Sequence, residues 1–169
     1  SVNAGAPSPN NNPEILNIYN TTTQAITENS FTNITISFQV NDADGVAGID
    51  FNRARLNITR TGGDELSPIY NYSSSTSGGC FDSGDINTTT ANISCSVHVW
   101  YFATAGQWNI TVSYTDASNA FTQNTTHNFT LSSTTAVVIS PSNITFAATQ
   151  AGNFNVTSNN DPVRVNNTG

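Results

Sequence analysis

The chain predicts an all-β protein, an antiparallel sandwich of short strands. Three observations carry this. Apolar residues alternate with polar ones at period two in several segments, the mark of a strand with one buried face. Clusters of Asn, Asp, Gly, Ser and Pro separate these segments at turn-like intervals. Nowhere among the 169 residues does a sustained 3.6-residue apolar pattern appear.

The clearest stretch is Cys95 to Phe121. Val97, Val99 and Tyr101 alternate with Ser96, His98 and Trp100; Trp108, Ile110, Val112 and Tyr114 then alternate with Asn109, Thr111, Ser113 and Thr115. The small link Ala103-Thr104-Ala105-Gly106-Gln107 suits a hairpin loop, so the pair is expected to be a β-hairpin. Asp116 to Asn119 makes the next turn. Earlier, residues 1–12 hold no periodic apolar positions and read as a flexible segment or linker. Pro13-Glu14 opens a strand with Ile15, Leu16, Ile18 and Tyr19 as its apolar content. Residues 31–40 put Ile34, Ile36, Phe38 and Val40 inward, and Asn41 to Gly45 turns. Residues 49–60 resume as a strand with Ala54, Leu56 and Ile58 on one face. Leu66 to Tyr72 is a weaker strand, and Pro68 places it at an edge. Residues 73–91 read as a long surface loop, and 120–131 as a further strand with Phe129 and Leu131 inward. Some eight short strands of this kind imply an immunoglobulin-like or fibronectin-III-like arrangement over residues 13–132.

Residues 133–169 form a separate strand segment. Ala136 to Ile139 is continuously apolar, and the pairs Ile144/Phe146, Phe154/Val156 and Val163/Val165 mark further strands. The segment is too short for a core of its own. Three fates are open to it: an interrupted module, packing on the preceding domain, or completion by strand exchange with a neighbouring subunit. The strand at 14–19 is the other candidate donor.

Composition narrows the function. The net charge is −7, all four cations are Arg, and charged residues make up 9%, against roughly 25% in ordinary soluble domains. Such a chain lacks the cations that nucleic acid and anionic membranes require. No apolar run reaches the length of a membrane span. Hydration falls to 25 Asn, 19 Ser and 25 Thr. The two cysteines, Cys80 and Cys95, are expected to pair in an oxidising compartment, since neither a CxxC nor a zinc-ligand spacing is present.

Twelve Asn-x-Ser/Thr sequons occur, at Asn20, Asn33, Asn57, Asn71, Asn87, Asn92, Asn109, Asn124, Asn128, Asn143, Asn155 and Asn166. Chance pairing in this composition gives about six or seven. Placement is the stronger signal. At Asn33, Asn57, Asn92, Asn109, Asn128, Asn143 and Asn155 the middle residue is apolar. On a strand that residue points into the core, while Asn and the hydroxyl face solvent together. N-linked glycans on the outer faces would explain Asn in strands, where it is disfavoured. They would also blunt strand edges, a task usually given to Lys.

Other chemistry is sparse. Asn41 to Gly45 resembles part of an EF-hand loop, but aligning its Gly leaves Val40 and Phe51 where oxygen ligands belong. An irregular Ca²⁺ site from Asp42, Asp44, Asp82 or Asp85 is the minor alternative to turn chemistry, and no other cofactor is indicated. His98 and His127 sit in no catalytic frame, so the chain is not expected to be an enzyme. Trp100 and Phe102 could form a sugar platform; burial in the sandwich or under the disulfide loop is preferred.

The run Gly106-x-Trp108-x-Ile110-x-Val112-x-Tyr114-x-Asp116 resembles the closing strands of immunoglobulin-like modules in large archaeal and bacterial surface proteins. The resemblance covers residues 13–132 and part of a second module. It implies a secreted, extracellular structural subunit of a surface filament or layer, with copies of itself as partner. Thread-type archaeal filaments, glycosylated sandwiches joined by donated strands, are the nearest analogy. The competing class is a monomeric adhesin or carbohydrate-binding module.

Overall fold

The computed structural model describes residues 9–19, 22–60, 71–74, 79–135, 137–160 and 162–167, with backbone alone for 71–74 and 167. The chain is all-β, with no α-helix among the described residues. The strands are β1 (Glu14–Tyr19), β2 (Phe31–Asn41), β3 (Ala54–Arg60), β4 (Asn71–Ser74), β5 (Cys80–Asp85), β6 (Thr90–Trp100), β7 (Gly106–Thr115), β8 (Phe121–Leu131), β9 (Val137–Ser140) and β10 (Arg164–Asn167). One antiparallel sheet has the order β1-β2-β6-β5, a second β4-β3-β7-β8, and β9 with β10 forms a separate two-stranded ribbon.

The period-two pattern determines which faces meet. β2 contributes Ile34, Ile36, Phe38 and Val40; β6 contributes Ile93, Cys95, Val97 and Val99. From the second sheet come Ala54, Leu56 and Ile58 of β3, Trp108, Ile110, Val112 and Tyr114 of β7, and Phe129 and Leu131 of β8. All belong to one apolar cluster, so the two sheets enclose a shared core in a β-sandwich arrangement. β1 joins with Ile15 and Ile18 buried while Leu16 and Tyr19 are exposed. A bulge between Ile15 and Ile18 lets two residues three apart face the same way.

Four expectations change. Cys95–Phe121 is not a hairpin: β6 lies in the first sheet and β7 in the second. β6 is already hydrogen-bonded on both sides, by β2 and β5, so its successor must cross the core. Residues 101–105 make that crossing, and the Trp108 Nε1–H donates to the Thr104 carbonyl at 3.0 Å. Gly106, at φ +122°, takes the backbone geometry that starts β7. Second, residues 49–53 are not strand. Val46–Gly48 and Phe51–Arg53 are 3₁₀ turns, the latter capped by the Asp50 carboxylate on the Asn52 N–H. Third, residues 73–91 are not one surface loop: 73–74 belong to β4, 75–78 lie outside the described residues, and 80–91 are β5, a turn and the start of β6. Only Cys80 of β5 is buried, so this edge strand carries no alternation to read. Fourth, neither Ile144/Phe146 nor Phe154/Val156 forms strand. Of the expected edge strand at 66–72, residues 66–70 lie outside the described residues; β4, which includes Asn71 and Tyr72, is at the edge of its sheet.

Cys80 and Cys95 are bonded, at directly paired positions of β5 and β6. The bridge joins neighbours within one sheet. Closing a loop of 15 residues contributes about 3 kcal/mol by constraining the unfolded chain. Reduction, or Cys80→Ala with Cys95→Ala, is expected to lower the denaturant midpoint, with the slope rising modestly because the unfolded chain is no longer held compact. An unchanged midpoint in reductant would refute the assignment.

Candidate functional site

Three surfaces bear on function: the sequon-bearing outer faces, an aromatic group on β2 and β6, and the β9–β10 ribbon. An acidic pole ties the sandwich at its lower end.

On the second sheet, three sequons share one outer face. Asn57 and Thr59 of β3, Asn109 and Thr111 of β7, and Asn128 and Thr130 of β8 all point away from the core, while their middle residues Ile58, Ile110 and Phe129 are at most 1% exposed. Asn109 pairs across the ladders with Thr59 on one side and Asn128 on the other. On the first sheet, Asn33 is exposed and Ile34 buried. Asn92 is half-buried, and its sequon hydroxyl, Ser94, lies 2.7 Å from the Ser37 hydroxyl and 2.6 Å from that of Ser83. Asn87 and Asn124 occupy turn and bulge positions, where the amide oxygen accepts from the backbone N–H and hydroxyl of the sequon's own Thr89 or Thr126. Asn143, Asn155 and Asn166 are exposed. Asn20 and the Asn71 side chain lie outside the described residues.

The aromatic group overturns the expected burial of Trp100 and Phe102. Trp100 is 45% exposed and Phe102 51% exposed. Their rings are parallel within 5°, centroids 6.2 Å apart. Phe31 meets Trp100 edge-on at 5.7 Å and stacks on the imidazole of His98 at 4.2 Å. Alternation places Trp100 outward, opposite Val99. The role of Phe31 and His98 comes from the β2–β6 register, which pairs Phe31 with Trp100 and Asn33 with His98. The sequence holds no direct signal for that register.

At the lower pole the acidic turns are filled by internal hydrogen bonds. The Asp42 carboxylate accepts from the Asp44 N–H, that of Asp82 from the Gly84 N–H, and that of Asp44 from the N–H and side-chain amide of Asn11. No group of three or more His, Cys, Asp or Glu arranged to hold a metal occurs among the described residues. Asp116, 2% exposed, accepts from the N–H groups of Ser118 and Ala120 and from the Asn10 side chain. Asn10 and Asn11 are thereby held against the sandwich, although their segment was expected to be flexible. Burial pushes the Asp116 carboxyl upward, but the bonds from Asn10, Ala120 and Ser118 and the charge of Arg53 more than offset it, leaving it below the usual carboxylate range.

This lowered value has a consequence for acid stability. A carboxyl whose folded pKa lies below its unfolded value, about 3.9, stabilises the fold above that value. The contribution disappears as pH falls through the folded pKa. Asp116→Asn is expected to be less stable than the parent at neutral pH and to show a shallower loss of stability below about pH 4. Thermal melts across pH 2 to 7 test this, and parallel curves would refute it.

In the ribbon, Val137, Val138, Ile139 and Val165 are each more than half exposed, as are Ile144, Phe146 and Phe154 in the connection between its strands. A shallow groove of about 550 Å³ runs along Val138, Ser140, Arg164, Val165 and Asn166. No described helix is long and apolar enough to cross a membrane. No known protein family matches the chain, and no curated protein is detectably similar to it.

Proposed function

We propose that the chain is a structural subunit of a glycosylated extracellular filament or surface layer, and that copies assemble by β-strand complementation. The carrying observation is the β9–β10 ribbon. It is two-stranded, it has no core, and its apolar side chains are exposed. An isolated two-stranded ribbon is at best marginal in water. Strands supplied by a neighbouring copy would bury these side chains and pair the open edges, which is the physics of strand addition. β1 is already paired with β2 in its own sheet, which makes the ribbon the better candidate for exchange.

The immunoglobulin-like reading draws support from strand order. The orders β1-β2-β6-β5 and β4-β3-β7-β8 follow the constant-type immunoglobulin scheme with one strand added beside the third. The disulfide differs, since it joins neighbours in one sheet rather than spanning the two. A disulfide also suits an oxidising, extracellular setting. Glycosylation is supported by the placement of the strand sequons, whose Asn residues face outward over buried middle residues.

Electron microscopy of native, undenatured material tests the proposal. Regular filaments or a lattice are expected, with added density at Asn33, Asn57, Asn109 and Asn128. Dispersed particles under native conditions would count against assembly. A second reading, an adhesin or carbohydrate-binding module, draws on the exposed Trp100 and Phe102 rings; glycan-array binding lost in Trp100→Ala would favour it.

A further inference from the structure

The outer face of the first sheet is largely Thr, Ser, Gln and Asn along β2 and β6, except at its upper end. There Phe31, His98, Trp100 and Phe102 form one contiguous exposed group. Exposed aromatic surface of this kind calls for a cover. The nearest candidate anchor is Asn33. It stands two residues after Phe31 on the same face and directly opposite His98. On a paired ladder such direct neighbours lie roughly 5 Å apart, and diagonal ones such as Trp100 about 7–8 Å. The Asn33 amide makes no hydrogen bond with another described residue. Among the described strand sequons, Asn33 alone has an aromatic ring directly opposite it on a paired ladder. Asn57 pairs with Thr111 and Ser73, Asn109 with Thr59 and Asn128, and Asn92 with Gln39.

We infer that the aromatic group is a bed for the chain's own glycan, carried on Asn33. This rests on the glycosylated reading above and adds which residue is anchored and what holds it. The bond forms between the Asn33 Nδ2 and the anomeric carbon of an activated glycosyl phosphate donor. The phosphate-linked carrier leaves with the electron pair of its C–O bond, and Nδ2 releases one proton. The first pyranose then lies against Phe31 and His98, its axial C–H face on the rings, and the next reaches Trp100 and Phe102. A sugar ring has an apolar face of about the size of these rings, so stacking removes apolar area from water on both partners. The Asn side chain is held in one orientation, and the exposed patch becomes covered.

The chain's two tryptophans make the test direct. Trp108 is 0% exposed and Trp100 45%, so quenching of native fluorescence by acrylamide reports Trp100. Secreted glycoprotein is compared with Asn33→Gln, with occupancy of each sequon read by glycopeptide mass spectrometry. Asn33 is expected to carry sugar, and its loss to raise the quenching constant by roughly twofold as the ring face is uncovered. The thermal midpoint is expected to fall by a few degrees in Asn33→Gln, and this drop to vanish when Phe31→Ser is already present. An occupied Asn33 with equal quenching in both proteins overturns the bed and leaves the glycosylated reading standing. So does an empty Asn33 with sugar at other sequons. Sugar at no Asn overturns the reading itself. Asn33 and Phe31 are both exposed, so neither variant removes core packing.

Discussion

Trp108→Ala is expected to lower the stability of the sandwich by about 3–5 kcal/mol, the range for deleting a large aromatic from a core. Trp108 is wholly buried at the start of β7, facing the first sheet across the interior. Its ring fills the upper core, and its N–H holds the Thr104 carbonyl in the crossing from β6. Alanine removes the ring, opens a cavity, and leaves that carbonyl without its partner. Against a total of about 5–15 kcal/mol, such a loss leaves a substantial unfolded fraction in the less stable part of that range. Trp108→Phe retains most of the buried aromatic volume while dropping the hydrogen bond to Thr104 and part of the ring. It is expected to cost closer to 1–2 kcal/mol. Denaturant unfolding of both variants is the measurement. Equal losses in the two would mean that packing contributes little here.

The second large effect concerns assembly and not stability. Ile139 and Val165 are paired across the ribbon and are 53% and 68% exposed. Neither belongs to the core cluster. Ile139→Asp combined with Val165→Asp is expected to abolish polymer formation while leaving the thermal midpoint of the sandwich unchanged. Each apolar side chain of this size contributes about 1.5–3 kcal/mol when covered, and a carboxylate at the same place would have to be desolvated. Sedimentation and electron microscopy of the variant against the parent give the answer. Filaments that persist with both substitutions would rule the ribbon out as the joint.

The alternating residues of β2, β6 and β7 announced both their strands and their buried faces. The sequons at Asn33, Asn57, Asn92, Asn109 and Asn128 followed, because an apolar middle residue at period two fixes where its flanking Asn and hydroxyl must point; those at Asn143 and Asn155 did not, since Ile144 and Val156 lie exposed and outside any strand. Sheet membership was not legible in the same way. Alternation states which side of a strand is buried, but not which strand lies beside it. The segments before and after the 101–105 link therefore read as a hairpin although they sit in opposite sheets. β5 escaped notice for a related reason. An edge strand with one buried residue, Cys80, leaves no periodic trace. The aromatic group shows the boundary most clearly. Alternation puts Trp100 on the face opposite Val97 and Val99, a placement that reads as burial, and only the register of β2 on β6 brings Phe31 and His98 to it.

The antiparallel ladders also determine how the domain would carry tension. Glu14 enters beside Asn41, at the lower end of β2, whereas Leu131 leaves beside Gly106, at the upper end of β7. A pull on the backbone at these two points is directed along the strands. The hydrogen bonds of β1 to β2 and of β7 to β8 run perpendicular to that pull, so they are loaded together in shear and do not open one at a time. The Cys80–Cys95 bridge lies on the β5 side of its sheet, away from this path. It would leave the force needed to extract β1 nearly unchanged while limiting how far the sheet could extend once β1 had gone.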